Sequence, residues 1–83
     1  MVRHRRVDFP SLKARKFLRV LRRQPFQYRV SRQTGSHRVL SSPNGYPDLY
    51  FAYHDGATVP PGVVRKYLVD VIGLTEQEAI DLL

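Results

Sequence analysis

The chain has 83 residues with no cysteine, and its 14 lysines and arginines against seven aspartates and glutamates give a formal net charge of +7. A chain of this length forms one small domain with a thin core. The lack of cysteine excludes disulfides, thiolate metal sites and cysteine nucleophiles. No long apolar run follows the basic start, so we expect no signal peptide, no membrane span and a cytoplasmic location.

The charge is unevenly distributed along the chain. Residues 1–38 carry twelve bases and one acid, whereas residues 39–83 carry two bases and six acids. A clustered basic surface attracts phosphate backbones and releases their counterions. A merely well-solvated charged face has a similar composition. The clustering favours a polyanionic partner.

The first elements are a basic arm and a helix. Residues 1–10 lack apolar periodicity and predict a flexible basic arm ahead of a single domain over residues 11–83. Ser11 has the chemistry of a helix N-cap, and Pro25 ends the helix. The apolar residues between them fall at i, i+3, i+4 and i+7, which predicts one buried stripe: Ala14, Phe17, Leu18 and Leu21.

The middle of the chain predicts an antiparallel meander. Three strands separated by glycine-containing turns are expected over residues 26–32, 37–41 and 48–54. In the first strand, alternation directs Phe26, Tyr28 and Val30 inward.

Two helices close the chain. Pro60 and Pro61 predict the start of the second helix and Gly73 its end. The capping-box spacing of Thr75 and Glu78 opens a short last helix over residues 76–83. The order predicts an α+β domain, α-β-β-β-α, with both main helices on one face of a three-stranded antiparallel sheet. This is the topology of double-stranded-RNA-binding domains (dsRBDs), and topology alone does not establish function.

The sequence argues against several kinds of catalytic site. His4, His37 and His54 lack metal-ligand spacing, and the glycines form no phosphate loop, so we expect no metal and no cofactor. RNA cleavage needs fewer protein groups than such reactions, because the 2′-hydroxyl of the RNA is itself the nucleophile. One histidine that transfers protons near neutral pH is enough, provided that cations lie nearby. His37 fits that role, although by residue type alone a surface histidine following a turn is the better interpretation.

Three segments together resemble the HicA (YcfA-like) toxin family. The Gly-Ser-His triplet at 35–37 begins the second strand after a basic helix and an aromatic strand. The sequence Val-Pro-Pro-Gly-Val-Val-Arg at 59–65 resembles the family's P-x-G-x-x-R start of the second helix, and residues 72–78 resemble its closing segment. The resemblance covers residues 12–83. It departs at residues 55–58, Asp-Gly-Ala-Thr, where family members often carry lysines.

The resemblance implies a toxin of a type II toxin–antitoxin system. It implies a dsRBD-like mRNA interferase, a metal-independent endoribonuclease with one catalytic histidine at His37, neutralised by a HicB-type antitoxin. Independently, we expect RNA contacts from cations beside the turn and on the first helix and from the turn serine: Arg29, Arg32, Arg38, Lys16, Arg19, Arg23 and Ser36. For each cation, a solvated strand edge or helix face is the alternative.

Two other function classes stay open. A non-catalytic RNA-binding module of the dsRBD type would bind duplexes of about 16 base pairs without cutting them. A module for protein or DNA would be indifferent to the 2′-hydroxyl. Tyr50 and Tyr53 are candidates for base stacking, whereas core packing is the stronger interpretation for Tyr28 and a structural role for His54.

Overall fold

The structure is a computed structural model that describes residues 8–83. The basic arm predicted for residues 1–10, including His4, lies mostly outside the described residues. Within them, no helix is long and apolar enough to cross a membrane. The elements are β1 (Leu12–Lys13), α1 (Ala14–Arg22), β2 (Arg29–Thr34), β3 (His37–Ser41), β4 (Leu49–Phe51), β5 (Thr58–Val59), α2 (Pro61–Arg65), a π-helical segment (Lys66–Val71) and α3 (Glu76–Asp81).

The main sheet is the predicted antiparallel meander, with strand order β2-β3-β4. β3 has the predicted bounds, whereas β4 is shorter than predicted. β2 begins at Arg29 rather than at Phe26. Phe26 and Tyr28 are buried as predicted, but they precede the strand. The burial predicted for Val30 is wrong: it pairs with buried Leu40 and so shares the covered face, but its side chain is 39% exposed on the edge strand β2, beside a register shift in the pairing of β2 with β3.

The strand register decides which side chains share a face. Leu40 pairs with Leu49, and both are buried on the face that packs against the helices. Because side chains alternate along a strand, the neighbouring row points the other way. In that row Val39 pairs with Tyr50 on one side and Arg32 on the other. The helices therefore cover one face and leave the opposite face open.

The core lies between that covered face and the helices. α1 buries the predicted stripe and also Val20. The rings of Phe17, Phe51 and Tyr67 lie 5.7–6.1 Å apart and join α1, β4 and the π-helical segment. Burying each phenylalanine or leucine contributes roughly 1.5–3 kcal/mol before conformational entropy is counted.

The start of α1 differs from the prediction. Ser11 is not its N-cap, and the residue that is makes no side-chain cap bond. Instead the backbone amides of Ala14 and Arg15 donate to the carbonyls of Ala57 and Asp55, at 2.8 and 3.2 Å. β1 pairs with β5 just beside this contact. The loop before β5 therefore satisfies amides that a helix leaves without partners at its first turn.

The C-terminal helices match the expected signals. α2 begins at Pro61, and the left-handed Gly73, with φ +94°, follows the π-helical segment. The capping box is present: the Thr75 amide donates to Glu78 at 2.9 Å, and the Glu78 amide donates to the Thr75 hydroxyl at 3.1 Å. α3 is shorter than predicted and ends at Asp81.

Candidate nucleic-acid interface and active site

His37 is the first residue of β3 and follows a two-residue turn. Gly35 in that turn has φ +60°, a left-handed conformation that suits glycine. Ser36, the second turn residue, is half-buried, and Thr34 pairs with His37 across the hairpin. The turn thus fixes an exposed histidine at the end of the sheet.

The side chains around His37 form what we call the open sheet face. By strand alternation His37 lies on the same face as Val39, and Val39 is in the row with Arg32 and Tyr50. These four residues and Ala52 are among those that line a shallow cavity of about 150 Å³. The cavity combines an imidazole, a guanidinium and an aromatic ring.

The register shift in β2 brings a second arginine to this face. Arg29 pairs with Ser41, and Arg32 pairs with Val39. Because Ser41 and Val39 are two residues apart on β3, both arginines are on the face of His37, although they are three residues apart in the chain. Two of the three cations predicted beside the turn are therefore on the open sheet face.

Arg38, the third of these cations, lies on the helix side of the sheet. Its side chain is only 13% exposed, and its Nη2 atom donates to Asp55 Oδ1 at 2.7 Å. Among the described residues its buried Nε has no hydrogen-bond partner. The hydrogen bond from Arg38, followed by its charge, lowers the pKa of Asp55. Arg38 also lines the cavity at His37, but its guanidinium is paired with Asp55 on the helix side of the sheet.

The cations predicted on α1 are separated from His37 as well. Lys16, Arg19 and Arg23 are exposed and line a different groove, together with Leu82 and Leu83. α1 packs on the covered face of the sheet, so these three cations and the open sheet face form two distinct basic surfaces.

The tyrosines differ in accessibility. Tyr28 is buried and donates its hydroxyl to the Pro47 carbonyl at 2.6 Å. Burial, with smaller contributions from Asp48 and Tyr46, raises its pKa to about 12. Tyr50, in contrast, is 71% exposed on the open sheet face. The core position expected for Tyr28 is confirmed, and Tyr50 is the tyrosine available to a ligand beside His37.

Two further expectations can be placed. Tyr53 is half-buried, with its ring 5.6 Å from that of Phe51. His54 is exposed after β4, and its backbone carbonyl accepts from the Ala57 amide at 2.9 Å. Within residues 8–83, no group of three or more histidine, aspartate or glutamate side chains is placed to hold a metal ion.

The chain was also compared with known proteins. No protein-family model, no curated protein and no solved structure matched it. The resemblance to the HicA family therefore depends on the three sequence segments described above.

Proposed function

We propose that this protein is a metal-independent endoribonuclease, an mRNA interferase toxin that acts in the cytoplasm and is neutralised by a HicB-type antitoxin. The observation that carries the proposal is exposed His37 beside Arg32 on the sheet face that the helices leave open, with Arg29 farther along the same face. The resemblance of the surrounding segments to the HicA family supports the same function.

The chemistry follows from these three side chains. The RNA 2′-hydroxyl attacks the adjacent phosphorus and the P–O5′ bond breaks, leaving a 2′,3′-cyclic phosphate and a 5′-hydroxyl. His37 either accepts the proton of the attacking hydroxyl or donates one to the leaving oxygen, and water makes the other transfer. Arg32 binds a non-bridging oxygen, where negative charge develops, and Arg29 binds a neighbouring phosphate farther along the same face.

A non-catalytic RNA-binding module is the second candidate. It is favoured by the other basic surface, formed by Lys16, Arg19 and Arg23 on α1, which lies away from His37. A helix with clustered cations suits the phosphates of an RNA duplex. This candidate needs no proton transfer and predicts binding without a chemical change in the RNA.

The test incubates the protein with a long single-stranded RNA and, in parallel, with DNA of the same sequence, both in EDTA. We expect cleavage of the RNA only, with 2′,3′-cyclic phosphate ends. A protein with His37→Ala, purified in the same way, controls for contaminating ribonucleases. RNA that is bound but never cut, with duplexes of about 16 base pairs preferred, would instead establish the binding module.

A further inference from the structure

A second groove lies on the other side of Tyr50, between the edge strand β4 and the helical segment after β5. We call it the aromatic groove and define it by Tyr50, Tyr53, Val63, Lys66 and Tyr67. Its volume is about 740 Å³. It is larger than the cavity at His37, and its lining is mostly apolar.

The aromatic groove adjoins the His37 cavity. Tyr50 and Ala52 line both. Because Tyr50 borders both spaces, a ligand strand held at His37 reaches the groove by passing Tyr50. The two spaces can therefore take neighbouring parts of one extended molecule.

The groove wall is held in place by the core. The Tyr67 hydroxyl donates to the backbone carbonyl of Tyr50, and the Tyr67 ring packs against Phe17 and Phe51. Burial, with a smaller contribution from Tyr53, raises the pKa of Tyr67. Because this bond occupies the edge carbonyl of β4 at Tyr50, the side chain rather than the backbone is presented to a ligand there. That disfavours an added peptide strand.

The charges at the groove suit a nucleotide. Lys66 is exposed at its rim, and Arg32 lies across Tyr50 in the neighbouring cavity. Asp48 is the acidic residue of the lining, and a carboxylate accepts hydrogen bonds from base amino groups. Aromatic rings flanked by cations are the usual means of holding unpaired bases with their phosphates.

We propose that the aromatic groove binds an unpaired base of single-stranded RNA, next to the phosphate held at His37. The base stacks on Tyr50, and Lys66 binds the adjoining phosphate. This inference rests on the proposed function and adds a substrate requirement: the RNA is single-stranded beside the cleaved bond, because a base inside a duplex has no free face to offer.

The test measures binding in the full-length His37→Ala protein, so that cleavage does not interfere. The probe is a fluorescein-labelled 12-nucleotide single-stranded RNA, compared with a 16-base-pair RNA duplex by anisotropy. Adding Tyr50→Ala should weaken single-strand binding by about five- to 150-fold, whereas Tyr50→Phe, which keeps the ring, should retain it. Tyr50 is exposed, so thermal unfolding should not change in either variant.

A charge-matched pair tests the cation. Lys66→Ala should weaken binding and reduce the salt dependence by about one phosphate contact. Arg15→Ala removes an exposed cation of α1 outside the groove and should change binding much less. Equal effects of the two substitutions would contradict a phosphate contact at Lys66.

The outcomes separate the two proposals. Unchanged binding after Tyr50→Ala would overturn the assignment of the groove to an RNA base, and so would tighter binding of the duplex than of the single strand. A protein partner would then be the remaining occupant. Cleavage by the parent that is unaffected by Tyr50→Ala would overturn the groove alone. Binding that depends on Tyr50, without cleavage by the parent, would support the groove and overturn the nuclease.

Discussion

Arg38 and Asp55 form an ion pair with 2.7 Å between Nη2 and Oδ1, on the side of the sheet opposite to His37. Asp55 also supplies the backbone carbonyl that accepts from the Arg15 amide at the start of α1. The pair therefore joins β3 to the loop that caps α1. A cation that sequence alone assigns to RNA has a structural partner instead.

Replacement of Arg38 should lower the stability of the fold more than it weakens RNA binding. Arg38→Ala removes a mostly buried guanidinium and leaves Asp55 unpaired, so we expect a clear fall in Tm. Arg32→Ala, on the open sheet face, should leave Tm nearly unchanged. Thermal unfolding of both variants, with the Arg38→Ala/Asp55→Ala double variant, checks this. Strictly additive effects of the two partners would contradict a coupled pair.

Asp55 should make the fold sensitive to acid. Its pKa is lowered from the ordinary value of 3.8 by the hydrogen bond and then the charge of Arg38. A lowered folded-state pKa stabilises the fold above the unfolded-state value, and this contribution is lost as the pH falls through the folded-state value. The Tm difference between the parent and Asp55→Asn should be constant above about pH 4 and shrink below it. A difference that persists unchanged to pH 2 would argue against the pair.

Tyr28 should resist ionisation and contribute a buried hydrogen bond. Its pKa of about 12 lies above that of unfolded tyrosine, so its contribution is complete below about pH 10 and is lost as the pH rises through 12. Tyr28→Phe leaves the Pro47 carbonyl without this donor and should cost about 1 kcal/mol of unfolding free energy. Urea unfolding at pH 7 and ultraviolet titration of the tyrosines measure the two effects. Ionisation of every tyrosine by pH 10.5 would contradict the burial of this hydroxyl.

The two basic surfaces should have separable roles. Arg32 shares the His37 cavity, so Arg32→Ala should lower the single-turnover cleavage rate about 100-fold at saturating protein. Arg19 lies on the other surface, so Arg19→Ala should weaken RNA binding but leave that rate within about twofold of the parent. The opposite pattern would place the reacting phosphate on α1.

Elements with strong local signals could be predicted from the sequence. β3 is bounded by a glycine turn on one side and Pro-Asn-Gly on the other, and its limits are as expected. The buried stripe of α1 and the capping box at Thr75 were also predictable from the sequence. β1 and β5 could not be predicted, because two-residue strands have no periodicity. Their pairing, Leu12 with Val59, is decided by tertiary packing.

The candidate site was predictable at His37 and less so around it. The Gly-Ser turn marks the histidine, but the register shift that puts Arg29 and Arg32 on one face has no clear local signal. The position of Arg38 could have been foreseen, because consecutive strand residues point to opposite faces. Lys66 was not predicted, because it follows the P-x-G-x-x-R segment on a helix whose clearest sequence signal is its apolar face.

The most direct test of the central claim is the rate of RNA cleavage in EDTA by the parent and by His37→Gln. Circular dichroism and thermal unfolding first establish that the exposed substitution leaves the fold intact. If His37 transfers the proton, the variant should cut at least about 100-fold more slowly and still bind RNA. Cleavage by the folded variant at the parental rate would contradict the account.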